Sequence, residues 1–229
     1  MSAEALLFDY TFRFGDGRQL HFPIQLDPVH LMLLNNESKN TADWARLENH
    51  QCKNCTLNPE KHLYCPIAKN LVGILCEFNN VYSFEQVEVI IKTHERTYSR
   101  KCGVQSGLGA MLGIYMVSSG CPIMSKLKPM VRFHLPFASV QETINRSVSS
   151  YLLGQYFNYK EGKEADWDLA GLKQSYKEIQ TVNYGMAGRL RSISAKDANV
   201  NALIILDIFA KEMPETIDGS LNLLRYLYE

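Results

Sequence analysis

The chain opens on two strand-like runs. Residues 6–14 and 18–26 are rich in Leu, Phe, Tyr and Thr, and Gly15-Asp16-Gly17 between them is a strong turn signal, so a β-hairpin is predicted. Pro23 lacks a backbone N–H, which places the second run at a sheet edge or a bulge. A polar stretch, 35–41, leads to Asp43-Trp44-Ala45-Arg46-Leu47, which can open a short helix. From Pro66 onward, Ile67, Ala68, Leu71, Val72, Ile74 and Leu75 recur at helical spacing, with Pro suited to the first turn. Residues 83–101 read as extended, with Val87, Val89 and Ile91 alternating.

Beyond Gly103 the pattern becomes helical. Residues 103–125 carry no charge and lie between Lys101 and Lys126, so a membrane span has to be weighed there. The stretch also holds Gly103, Gly107, Gly109, Gly113 and Gly120, with Gln105 and several serines, which is too little apolar content for a span. A buried central helix is predicted instead, with Gly109 and Gly113 allowing another helix to approach closely. Val140, Ile144, Val148, Tyr151 and Leu152 mark the next helix, and Leu169, Leu172, Tyr176, Ile179, Val182, Met186 and Leu190 a further one, with 158–167 as the loop between. Asp197 is a plausible N-cap for an apolar helix through Ile204, Leu206 and Phe209, stopping near Pro214. A last short helix would hold Leu221, Leu224 and Leu227. The predicted class is α+β: a strand-containing part over 1–103 and a helical part over 104–229, packed as one unit.

Composition narrows the function classes without choosing one. With 229 residues, 24 basic against 24 acidic side chains and 46% hydrophobic content, the chain folds but has no net charge. That argues against a coat for nucleic acid or an anionic membrane, leaving a protein or small-molecule partner. Lys92, His94, Arg96, Tyr98 and Arg100 would share one face of a continuous strand, but Glu88 shares it and Glu95 adjoins it, so a solvated sheet face is expected. Glu4 and Asp9 stand where a secretory leader wants a basic start and an apolar run, so a cytoplasmic protein is expected. Six cysteines are too few for a disulfide scaffold, which points to reduced thiols or metal ligands.

The chemistry concentrates between His50 and Cys65, HQCKNCTLNPEKHLYC. Cys52 and Cys55 have the two-residue spacing at which one tight turn aims two thiolates at one ion. Cys65 returns after a loop, and Pro66 would put its thiolate at a helix N-terminus. His50 as fourth ligand gives a Cys₃His tetrahedron suited to structural zinc, with His62 or Cys121 as alternative fourth ligands. If Cys121 completes the set, a [4Fe–4S] cluster becomes the alternative occupant. No strand precedes Cys52-x-x-Cys55 in a βαβ pattern, and Thr56 stands where c-type haem attachment needs His. Cys76, at helical spacing among apolar residues, reads as a small core side chain.

A second motif, SGCPIMSKLKPMVRFHLPF, covers 119–137. Gly120-Cys121-Pro122 could set a low-pKa thiol at a helix start, although the apolar residues around it equally suit a packed cysteine. Arg132 and His134, two apart in a run that looks extended, would point to one side as an anion-binding or acid–base pair. The bland alternative is a satisfied His and an Arg on backbone carbonyls. Arg189 and Asp207 interrupt apolar stripes and could form a buried pair that sets helix register. No GxGxxG, GxxxxGK or GxSxG motif is present.

The stretches His50-Gln51-Cys52-Lys53-Asn54-Cys55, Gly120-Cys121-Pro122 and 129–137 together resemble a family of uncharacterised bacterial proteins of unknown function. The resemblance implies a bacterial cytosolic origin and assigns no role to any residue. Two functions are therefore expected from the residues themselves. The first is a metal-stabilised binding or regulatory module built on Cys52, Cys55, Cys65 and His50. The second is a thiol- or iron–sulfur-dependent enzyme or redox protein using Cys121, Arg132 and His134 beside the cluster.

Overall fold

The computed structural model describes residues 4–34, 42–193, 196–227 and 229, without the side chains of 215, 216, 218, 220, 223 and 224. The predicted polar stretch 35–41 lies outside the described residues, as does the side chain of Leu224. The hairpin forms as β1 (Leu6–Phe14) and β2 (Gln19–Leu26), and β3 (Gln86–Lys92) and β4 (Thr97–Gly103) complete an antiparallel sheet of order β2-β1-β3-β4. Pro23 sits in β2, at the sheet edge, where its missing N–H costs no ladder bond.

Residues 83–101 are not one extended run. Thr93-His94-Glu95-Arg96 turns the chain, with Thr93 N–H donating to the Arg96 carbonyl (2.9 Å) and Thr93 Oγ1 accepting from the N–H groups of Glu95 and Arg96. A threonine hydroxyl supplies the turn that Gly, Asn or Pro usually signals. The hairpin breaks the predicted basic row: Lys92 and Arg100 end up on different strands, with Lys92 opposite Thr97.

One sheet face carries Phe8, Tyr10, Phe12, Phe14, Val87, Val89 and Ile91, all buried. It is covered by α1 (Pro66–Glu77) and α2 (Val104–Val117), and Phe12 meets Phe78, just past α1, edge-on at 5.1 Å. Helix α2 is the central helix that the uncharged stretch predicts. A Cβ at Gly107 would lie 2.6 Å from Val89 and 2.8 Å from Phe12, so only Gly lets α2 sit this close to the sheet. On its other side a Cβ at Gly109 would lie 3.1 Å from the Ala202 carbonyl of the last long helix. Among the described residues no helix is long and apolar enough to cross a membrane.

The remaining helices are α3 (Lys128–Arg132), α4 (Val140–Lys160), α5 (Ala170–Arg191) and α6 (Ala198–Leu224), with α6 packed on α2, α4 and α5. Ser139 and Glu142 close a reciprocal capping box on α4. Two expectations change here. The run through Pro129 is helical rather than extended, because Pro stands in the first turn of α3, where its fixed φ and missing N–H cost nothing. Nor does Pro214 stop the last helix: α6 runs through it, since Ala210, Met213 and Ile217, all buried, hold both sides of the proline to the core. Among the described residues no separate last helix follows; residues 225–227 add one tight turn, and Leu227 is exposed. The fold is α+β, and buried residues of the sheet and of all the long helices form a single core cluster.

Candidate functional site

The segment that carries the thiols is pinched at its base and laid on α5. Leu47 N–H donates to the Leu63 carbonyl (2.9 Å) and Cys65 N–H to the Ala45 carbonyl (2.8 Å), closing the loop between them. Cys55 N–H donates to the Cys52 carbonyl (2.9 Å), so the two cysteines flank one tight turn. Asn54 Nδ2 donates to the Glu178 carbonyl of α5 (2.9 Å). Further along α5, a Cβ at Gly185 would meet Cys52 Sγ at 2.7 Å, and one at Gly188 would meet His50 Nδ1 at 3.1 Å. Two glycines three apart on one helix face thus open the groove into which the loop fits.

Cys65 is the N-cap of α1, immediately before Pro66. Cys121 enters from the opposite side, at the left-handed Gly120 (φ 92°) that ends the segment after α2. Its backbone N–H donates to Ser119 Oγ at 3.1 Å. The ion pair Lys126–Glu178 (2.5 Å) ties the following turn to α5. As a result Cys52, Cys55, Cys65 and Cys121, from three separate segments, line one small cavity of about 20 Å³.

Arg189 lines the same cavity and is 1% exposed. Its guanidinium donates to the carbonyls of Trp44 (2.7 Å), Arg46 (2.6 Å) and Leu47 (3.0 Å), while its Nε is buried with no hydrogen-bond partner. The expected Arg189–Asp207 pair does not form. Three carbonyls of the loop's entry outcompete one carboxylate, and Asp207 Oδ1 is left unpaired, with burial pushing its carboxyl up.

Burial also pushes the Cys52 thiol up to about 12, with repulsion from Cys65, Cys55 and Cys121 adding to it and Arg189 opposing it. Burial likewise raises Cys121, against the backbone N–H groups of Met124 and Ile123 that favour its thiolate. Cys52 and Cys121 therefore hold their protons until something positive replaces them. Among the described residues no group of three His, Cys, Asp or Glu side chains is gathered tightly enough to hold a metal ion as it stands.

The histidines predicted as ligands sit elsewhere. His50 and His62 are both exposed, and neither lines the cavity. Arg132 and His134 do not work as a pair: α3 turns Arg132 outward over the Phe133 ring, while His134 points inward and shares a 2.8 Å hydrogen bond with the Tyr10 hydroxyl. Neither lines the cysteine cavity. Burial, with Arg146 nearby, brings His134 down to about 3, so it is neutral and held by one phenol. Cys76 is exposed on α1 rather than a core residue, because the buried face of that helix runs through Ile67, Ala68, Leu71, Ile74 and Leu75. Sequence reasoning singled out Arg189 but gave it Asp207 as partner, and it missed Gly185 and Gly188, whose only signal is a smooth patch on one helix face.

The fold and this site define an α+β protein with a four-thiol pocket between its sheet-bearing half and its helices. The chain belongs to the family described as a domain of unknown function (DUF6901), whose match covers residues 8–229. Neither a curated protein nor a solved structure matches it.

Proposed function

We propose that the protein binds a [4Fe–4S] cluster through Cys52, Cys55, Cys65 and Cys121 and acts as a cluster-stabilised binding or redox module. One observation carries the reading: four cysteines from three segments converge on one pocket beside a buried Arg189 whose Nε has no partner. A four-thiolate cluster carries net negative charge, and a buried guanidinium balances it while offering Nε–H to a sulfur. With every ligand position taken by protein, such a centre suits structure or electron transfer rather than substrate binding.

Zinc is the competing occupant of the same four thiols. A closed zinc tetrahedron sets its sulfurs about 2.3 Å from the centre, leaving no room between them. The gap of about 20 Å³ admits one water, so the thiols draw apart to take a cluster, and metal content decides between the two occupants. Protein purified without air should be brown and carry about four irons per chain. Each of Cys52→Ser, Cys55→Ser, Cys65→Ser and Cys121→Ser should lose the colour, and His50→Ala should keep it. Colourless protein with about one zinc per chain would replace the cluster with zinc at the same site. Protein with neither metal would overturn the site itself.

A further inference from the structure

Helices α2, α3, α4, α5 and α6 line a second cavity, of about 330 Å³ and open on one side. That is within the usual size range of small-molecule sites. Its walls are mostly apolar, and Leu127, Ile205, Leu206 and Phe209 on them are only partly buried, because the space leaves each without a neighbour on one side.

The charged lining is one-sided. Arg100 of β4 and Arg146 of α4 both face the cavity, and among the described residues no Asp or Glu lines it. Arg146 is fixed at the wall by donating to the carbonyls of Met130 (2.8 Å) and Phe133 (2.5 Å). Asn183, 1% exposed, also lines the cavity, and its Oδ1 has no hydrogen-bond partner. A carboxylate offers this oxygen no donor, so Asn183 plays no part in the choice of ligand and the two arginines make it.

We propose that this cavity binds a small apolar carboxylate, its acyl or aromatic body between α2 and α6 and its carboxylate towards Arg100 and Arg146. At roughly 30 Å³ per atom-sized group, the volume holds about ten non-hydrogen atoms. Octanoate has that size and serves as the probe. The inference does not rest on the metal reading, although the two sites share a wall: Met124 and Asn183 line the cavity, Ile123 and Val182 the thiol pocket.

The test is calorimetric titration of the full chain with octanoate, octanol and octylamine. Octanoate should bind at one site per chain, about tenfold more tightly than either of the others, the preference that a charge-assisted contact supplies. Arg100→Gln, at an exposed position, should shrink that preference. Gly113→Leu should abolish binding, since its side chain grows into the cavity and a Cβ there meets only Leu206, at 3.9 Å. Ala110→Leu, on the same wall, repeats the test if Gly113→Leu fails to fold. Absence of saturable octanoate binding at millimolar concentration overturns the proposal. So does equal affinity for octylamine, or binding that neither filled-cavity variant weakens.

Discussion

Arg189 reaches from the far end of α5 to three carbonyls within residues 44–47, at the entry to the thiol loop. Replacing it with Met would leave the carbonyls of Trp44, Arg46 and Leu47 buried without donors. Bonds to a charged donor contribute about 1.5–3 kcal/mol each and do not add fully, so Arg189→Met should cost about 3–5 kcal/mol in urea unfolding. Cys76→Ala, at an exposed position, should change stability by less than about 0.5 kcal/mol. His134 gives a pH dependence of definite sign. Its folded pKa of about 3 lies below the ordinary 6.5, so between those values the unfolded chain takes up a proton that the folded chain refuses. Stability is therefore complete above about pH 6.5 and falls as the pH drops towards 3, by about 2–4 kcal/mol from this residue. The lowered carboxyls of Glu142, Asp166, Glu178 and Asp197 act in the same direction, but only below their ordinary range near pH 4. His134→Gln, which still offers the Tyr10 hydroxyl a partner, should remove about one proton's slope between pH 6.5 and 4.5. An unchanged slope there would assign the dependence to another group.

At the scale of elements, α2 carries the two halves of the fold. Its glycines should respond to substitution in opposite ways. Gly107→Ala drives a methyl into Val89 and Phe12, and should destabilise by about 1–3 kcal/mol as overpacking does. Gly113→Ala meets ordinary contact distances inside a helix and should stabilise by about 0.5–1 kcal/mol. Thermal melts of the two variants check both, and a shared sign would mean that the sheet–helix contact is not what Gly107 protects. The helices α1, α4 and α5 and the first hairpin are legible in the chain, because each has its own period, cap or turn residue. The turn at Thr93 and the passage of α6 through Pro214 are not. In both, a local signal was missing or pointed the wrong way, and strand pairing or burial on either side decided the outcome.

At the scale of the whole molecule, the thiol pocket joins the loop between β2 and α1, the segment after α2, and α5. If a cluster holds the three together, its removal should loosen them locally and leave the sheet intact. Amide exchange after anaerobic chelation and oxidation should accelerate over residues 48–63 and 119–127, while β1 and β3 keep their protection. Uniform acceleration would mean that the pocket is needed by the whole fold.

By itself the amino-acid sequence determined the α+β class, the central uncharged helix, and three of the four converging cysteines, because periodicity, turn chemistry and short spacing are local properties. Cys121 was readable only as one alternative among several, and His50 stood nearer in the chain. Only the tertiary structure brought Cys121 to the pocket and left His50 exposed beside Gly188 of α5. Which side chain reaches a pocket depends on how separate segments lie on a common helix, and here Gly185, Gly188, Arg189 and the Lys126–Glu178 pair set that arrangement. Adjacency along the chain carries no information about it.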